Sequence, residues 1–336
     1  MKQYILRRCL LMIPTLLGIT LVCFTLIQFV PGGPIEQIIS DIRSANADKG
    51  MDLSQNITAE EIENLKAYFG FDKPAYVRYF QWVGNVLRLD LGESYFYQEP
   101  VWDVISSRFP ISLFFGLTSF LLSYLVCVPL GLFKAIKNNT KWDAITSFGI
   151  FAGYVIPGYA LGVLLIIFFA GGSYFDWFPL SGVVSENFEE LSFINKVFDF
   201  IHHMFLPISC YMAGEFAFLT MLMKNSVLDE INKDYVRTAI LKGSSFNRAV
   251  WKHVLRNSLI PIATRLSEVF TLMFAGSLLI EKVFDIDGIG LLFFNSIVSR
   301  DYNVVMGMLL LTSVMTLLGK LFSDVLYVVI DPRIKF

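Results

Sequence analysis

The stretch Ile111-Ser-Leu-Phe-Phe-Gly-Leu-Thr-Ser-Phe120-Leu-Leu-Ser-Tyr-Leu-Val-Cys-Val-Pro-Leu130-Gly-Leu-Phe133 contains 23 residues and not one charge. About 20 such residues, wound as a helix, cross the roughly 30 Å hydrocarbon layer of a bilayer. Five more apolar runs of this kind lie at 9–30, 144–170, 205–223, 259–280 and 304–330. The first follows Lys2, Arg7 and Arg8 but is too long for a cleaved leader, and no small-residue cleavage site follows it. The fifth is interrupted by Arg265 and Glu268, and the sixth carries Lys320 and Asp324 near its end. Over the 336 residues, hydrophobic side chains make up 55% and charged ones 17%, against about 25% charge in soluble domains. The expectation is an all-α integral membrane protein with six transmembrane helices. A net charge of −2 excludes a whole-protein nucleic-acid footprint. Cys9, Cys23, Cys127 and Cys210 all sit in apolar runs, without disulfide or zinc spacing, and read as small core residues.

Placement of Lys and Arg orients the chain. With the N-terminus inside, segments 1–8, 134–143, 224–258 and 331–336 hold 15 Lys/Arg and 5 Asp/Glu. The outer segments 31–110, 171–204 and 281–303 hold 10 and 21. The short basic loop Lys134-Ala-Ile-Lys137-Asn-Asn-Thr-Lys141 weighs most, because long loops translocate largely regardless of charge. Both termini are therefore expected inside. The chain divides into a cytoplasmic start with the first span (1–30), an extracytoplasmic loop domain (31–110), a five-helix core (111–330) and a cytoplasmic tail (331–336). The first outer loop has helix signals of its own. Thr58-Ala-Glu-Glu61 is a capping box, Ile62, Leu65 and Phe69 recur at helical spacing, and Gly70 ends the run. Residues 77–89 are amphipathic, with Trp82 and Val86 on one face. His202 and His203 precede the fourth span; adjacent histidines point to different sides of a helix, so interfacial placement is favoured over a metal site.

Segment 224–258 is the most specific part of the chain. Asp234 can cap a short helix from Tyr235, and Gly243 supplies the left-handed turn that ends it. Ser244 or Ser245 can cap a second helix running toward Pro261. Thr238 and Ala239 are small, so another surface can approach closely. Two readings remain open on the pattern alone: a solvated basic loop held against anionic lipid, or a docking element for a cytoplasmic partner.

Tyr235-Val-Arg237-Thr238-Ala239-x-x-Lys-Gly243 followed by His253-x-x-Arg256-Asn257-x-x-x-Pro261 resembles the coupling loop of ABC-importer permeases, in particular the oligopeptide/dipeptide/nickel permease family. The general motif of that family has a glutamate where Arg237 stands and a proline near Arg256. Other segments resemble the same family: Val30-Pro-Gly-Gly-Pro34, Tyr68 through Ser94, Gly276-Ser-Leu-Leu-Ile-Glu281-x-x-Phe284 with Gly288-Ile-Gly290, Ser299-Arg-Asp-Tyr302 and Asp331-Pro-Arg333. Phe168 through Asp176 with Phe178-Pro-Leu180 is similar to the Yej-type peptide branch, linked to microcin C uptake. The resemblance implies half of a translocation pore in the bacterial inner membrane, a second homologous permease chain as heterodimer partner, and two ATPase subunits or one fused double ATPase. It also implies an extracytoplasmic substrate-binding protein, a peptide substrate, and coupling through Tyr235, Arg237, Thr238, Ala239, Gly243, His253, Arg256 and Asn257.

An ion-driven secondary transporter is the competing class. Charges inside a span cost about 2.5–3.5 kcal/mol each on insertion scales and are functional suspects by default. Arg265 and Glu268, and Lys320 and Asp324, stand at salt-bridge spacing, so self-neutralising pairs compete with path lining. Glu215 has no partner at helical spacing and is the better path candidate. No protease motif occurs, and no G-x-x-x-x-G-K-[ST] loop; Gly319-Lys320 is followed by Leu321 within a span. The chain is thus expected to bind no cofactor, with ATP and Mg²⁺ on partner subunits, and to be no enzyme itself. Purified chain alone should neither bind nor hydrolyse ATP; saturable nucleotide binding in an equilibrium assay contradicts that expectation.

Overall fold

The computed structural model describes residues 2–29, 63, 71–172, 174–265, 269 and 276–330, with side chains for all of these but residue 2 and 327–330. Among the described residues there is no β-strand, only an isolated bridge between Glu93 and Pro100. The helices are α1 (Lys2–Phe29), α2 (Ala75–Val86), α3 (Val101–Ile136), α4 (Lys141–Val155), α5 (Gly158–Phe169) and α6 (Phe193–Ile231). They continue as α7 (Asp234–Leu241), α8 (Phe246–Ala249), α9 (Leu255–Thr264), α10 (Leu278–Val283), α11 (Ile289–Val298) and α12 (Tyr302–Ile330). A π-helical stretch, Val250–Val254, joins α8 to α9.

Four helices (α1, α3, α6 and α12) are long and apolar enough to cross a bilayer, and the pair α4–α5 makes a fifth if it counts as one span. One of the six expected spans needs correction. Residues 144–170 do not form one straight helix: α4 and α5 meet at a 98° bend. Pro157 has no N–H to give and forces the residue before it out of helical geometry, so Ile156 is extended at φ −83°, ψ 118°. In the expected fifth span, α9 ends at Thr264 and most of the remainder, Glu268 included, lies outside the described residues. The helix expected around 58–70, the segment Val30 to Pro34 and the tail 331–336 also lie outside them. The amphipathic stretch near 77–89 is α2, and α6 overshoots its expected span at both ends.

Two compact units emerge. The first comprises residues 110–291 and 315–336, the second residues 2–109 and 292–314. In the first unit, one apolar cluster joins α3, α6, α7 and the 246–264 helix through Leu132, Met223, Val227, Val236, Val250 and Val254. A second cluster joins α3, α5, α6 and α10 through Phe115, Met204, Leu206, Cys210, Ile280 and Phe284. Cys127 and Cys210 are buried as expected, whereas Cys9 is exposed and Cys23 half-buried on α1.

The motif around Glu281 has a structural explanation. Its carboxylate is fully buried and accepts from the backbone N–H of Ser277 at 3.0 Å and Leu291 at 2.7 Å, and from the Tyr211 hydroxyl at 3.2 Å. A Cβ on Gly288 would stand 2.6 Å from the Glu281 carboxyl carbon, and one on Gly276, which has φ +56°, would meet the Gly290 amide at 2.6 Å. The glycines therefore make room for a buried carboxylate that satisfies the start of α11.

A second buried cluster fixes α3, α4 and α6 together. Lys134, fully buried on α3, pairs with Asp143 at 3.0 Å and donates to Thr146 and Ser147 of α4 at 2.9 and 2.8 Å. Lys224 of α6 reaches the other Asp143 oxygen at 2.8 Å. Thr140 caps α4 by accepting from the Asp143 N–H.

In the second unit, α2 docks on α1 through Tyr79, whose hydroxyl lies 3.1 Å from both the Thr20 hydroxyl and the Leu17 carbonyl. Asp301 is fully buried and binds the Ser94 hydroxyl and, at 3.2 Å, the Phe96 N–H, tying the 94–97 loop to the start of α12. His202 and His203 make backbone contacts with Trp177 and Asp199.

Removing Asp143 leaves two ammonium groups without their shared anion. Asp143→Ala is expected to cost about 3–5 kcal/mol, read as a lower melting temperature of the detergent-purified protein.

Candidate coupling site

Segment 224–264 folds as a short helix, a glycine turn and a second helix. Asp234 is the first residue of α7 rather than its cap; the capping position is Lys233, without a side-chain bond. The acidic side chain still sits where the helix dipole favours it. At the far end the Ser244 N–H reaches the Ala239 carbonyl at 3.1 Å and the Gly243 N–H reaches Ile240 at 2.9 Å. This pair of bonds is the Schellman arrangement, and it requires the left-handed residue that Gly243 provides at φ +89°. Ser245 then caps α8 by accepting from the Arg248 N–H at 3.4 Å. The second helix carries its π-helical stretch at Val250–Val254, with His253 inside it.

The inner face of α7 is anchored. Val236 is buried in the first apolar cluster, and Tyr235 and Ala239 pack against it. The Tyr235 hydroxyl donates to Glu230 at 2.5 Å, and the Asn257 amide bonds to the Tyr235 oxygen at 3.2 Å and to Glu230 at 3.5 Å. Lys233 also pairs with Glu230. Burial and the Glu230 carboxylate push the Tyr235 phenol up to about 12, so it stays a neutral donor across the physiological range. Ser226 and Ser258 each donate to the other's carbonyl, at 2.9 and 3.3 Å, and hold α6 to α9.

The outer face is open. Arg237, Thr238, His253 and Arg256 are exposed. Leu241 is 87% exposed and Trp251 60%, large apolar groups on an otherwise basic loop. Of the expected coupling residues, the structure brings Tyr235 and Asn257 into contact, seats Ala239 on the core, and turns Arg237 and Thr238 outward. Glu230 was missed in the sequence, although its place five residues before Tyr235 was visible; only the fold shows that both α7 and α9 bond to it.

Glu215 and Arg265 lie apart from the loop. Arg265 pairs with Glu215 at 3.2 Å and stacks over the Phe218 ring at 4.5 Å. Glu215 therefore has a partner on another helix, and Arg265 finds one beyond its expected neighbour Glu268. Glu215 also lines a small, mostly apolar pocket with Ser119, Phe120, Ser123, Tyr124, Tyr211 and Leu219. Among the described residues no cluster of His, Cys, Asp or Glu could hold a metal ion.

Several bilayer-length helices, with a helix–glycine–helix loop whose inner face is anchored and whose outer face is open, define a polytopic membrane protein. Residues 127–336 match the family described as binding-protein-dependent transport system inner membrane component, and residues 1–116 match its N-terminal counterpart. The chain belongs to this family. It is 41% identical to the peptidoglycan transport system permease protein YejB of Agrobacterium fabrum, covering all of this chain and 99% of that protein. It is 40% identical to the inner membrane ABC transporter permease protein YejB of Escherichia coli O157:H7, with the same coverage. The oligopeptide transport system permease protein AppB of Bacillus subtilis is 34% identical over the full length of both chains. The protein is thus a multi-pass inner-membrane transport component.

A Cβ at Gly243 would meet nothing within 4 Å, so any substitution there is strained by φ alone. Gly243→Val should abolish uptake in cells while the protein still reaches the membrane, whereas Gly243→Asn, which tolerates the left-handed region, should retain most of it.

Proposed function

We propose that the chain is the permease subunit of an ATP-driven importer for peptides or peptide-like compounds, contributing half of the pore and coupling to separate ATPase subunits. The observation that carries this reading is α7: its Val236 face is fixed in the core while Arg237, Thr238 and Leu241 face outward beside a Schellman turn. A rigidly seated short helix with an open outer face can pass an ATPase's motion to α3, α6 and α9. The resemblance and the family supply the remaining partners: a second homologous permease chain, two ATP-binding subunits or one fused double ATPase with bound ATP and Mg²⁺, and an extracytoplasmic substrate-binding protein. Six spans with both termini inside belong to the same reading. The substrate class rests on relatives named for oligopeptide or peptidoglycan transport.

A secondary transporter would not need the helix–glycine–helix loop, and Glu215, its best candidate charge, is paired with Arg265. Glu215 and Arg265, with Glu268, remain our candidates for the translocation path, because Glu215 is part-exposed at a small pocket and can attract a peptide's cationic N-terminus without holding it tightly.

Uptake should persist when the proton gradient is collapsed with ATP maintained; loss under that condition favours ion coupling. Glu215→Gln should lower uptake of cationic peptides more than of neutral ones. Unchanged uptake of both overturns the electrostatic role.

A further inference from the structure

Glu281 is held from two directions. The backbone N–H groups of Ser277 and Leu291 belong to the 276–291 segment itself, so their bonds to the carboxylate, at 3.0 and 2.7 Å, travel with it. The Tyr211 hydroxyl comes from α6, and its bond of 3.2 Å is the longest of the three. If that bond breaks, Glu281 keeps its backbone donors and the segment keeps its shape. The Tyr211 ring has other neighbours. It lies nearly parallel to the fully buried Phe115 of α3, with centroids 5.3 Å apart and planes inclined by 12°. It also walls the pocket at Glu215, which stands one turn further along the same face of α6. Ser119 and Ser123 of α3 line that pocket as well.

The pocket measures about 30 Å³, room for no more than a few water molecules. A substrate group drawn to Glu215 therefore cannot enter without moving a wall, and Tyr211 is the wall tied to Glu281. Phe115 blocks motion through its own plane, so the ring yields by sliding, and sliding changes the hydroxyl's distance to Glu281. We propose that Tyr211 is a positioning residue that couples the two sites: filling the pocket at Glu215 breaks the Tyr211–Glu281 bond and frees the 276–291 segment from α6. The inference rests on the importer reading and deepens it, because it makes this segment a gate that substrate at Glu215 releases. The segment reaches beyond its own cage. The Phe284 carbonyl accepts from the Gly182 N–H at 2.9 Å, so the loop carrying Gly182 is joined to it. The Ile289 N–H, bound to the Ser112 hydroxyl at 2.8 Å, is its remaining hold on α3.

The test is hydrogen–deuterium exchange of the assembled transporter in lipid nanodiscs, read over 276–291 and, as a control, over α4. It needs no known substrate, because Ser123→Leu fills the pocket from within. Tyr211→Phe keeps the ring and its stack but removes the hydroxyl. It should raise exchange over 276–291 by roughly fivefold or more, as befits one lost hydrogen bond, and leave α4 unchanged. Ser123→Leu should act in the same direction. The double variant should exchange no faster than Tyr211→Phe alone, the non-additivity that a shared path imposes. If Ser123→Leu fails to assemble, Ser119→Val is the smaller filling that takes its place. Additive effects, unchanged exchange over 276–291 in Tyr211→Phe, or an equal rise over α4 each overturn the proposal in favour of a purely structural hydroxyl. Exchange is read without transport, so this failure is distinguishable from failure of the importer reading, which ATP-dependent uptake by the wild type decides.

Discussion

Hydrocarbon offers no partner to a peptide N–H or C=O, and every irregularity in this chain is arranged around that shortage. Where the backbone stays helical, as in α1, α3, α6 and α12, the demand is met within each segment. Where it does not, neighbouring groups cover the break. At the Ile156–Pro157 bend, the first residue of α5 is a glycine whose Cβ, if present, would stand 2.8 Å from the Cys210 carbonyl. The bend is thus packed tightly against α6. Between Gly276 and Gly290 the chain leaves helical geometry twice, and the buried Glu281 carboxylate gathers the freed backbone donors that no solvent would satisfy.

The same shortage governs the charges. Lys134 and Lys224 look in the sequence like ordinary members of a basic inner flank. In the fold both converge on Asp143, so residues that orient the chain also fasten α3, α4 and α6 at one level. Two lysines against one aspartate leave the group with a net positive charge. That cluster and the Glu230–Tyr235–Asn257 group share a helix, α6, which carries both Lys224 and Glu230. The anchor of α7 and the polar anchor of α3 and α4 thus lie less than two turns apart on one helix.

The class of the fold was legible because hydrophobic runs of bilayer length are the strongest signal a sequence carries. Helix–Gly243–helix was legible for a local reason: a left-handed glycine between two cap residues depends on nothing distant. What could not be read was long-range pairing. Glu215 lacks a partner at helical spacing, and its Arg265 is 50 residues away. Glu281 and its glycines were recognisable as a pattern, but only the three-dimensional cage explains why glycine is required. Pro157 misled in the opposite direction. Its apolar surroundings hid a right-angled break, because hydropathy measures solubility in lipid and is blind to a missing N–H.

Glu215 and Asp143 show how differently two carboxylates can be held in one protein. Asp143 is closed in by two ammonium groups, with its side chain only 9% exposed. Glu215 is 42% exposed and pairs with an arginine that also leans on Phe218. A carboxylate so loosely held, beside Ser119, Ser123 and two tyrosines, keeps acceptor capacity to spare. The division follows from coordination: Asp143 is saturated by two ammonium groups, whereas Glu215 keeps room for a further donor.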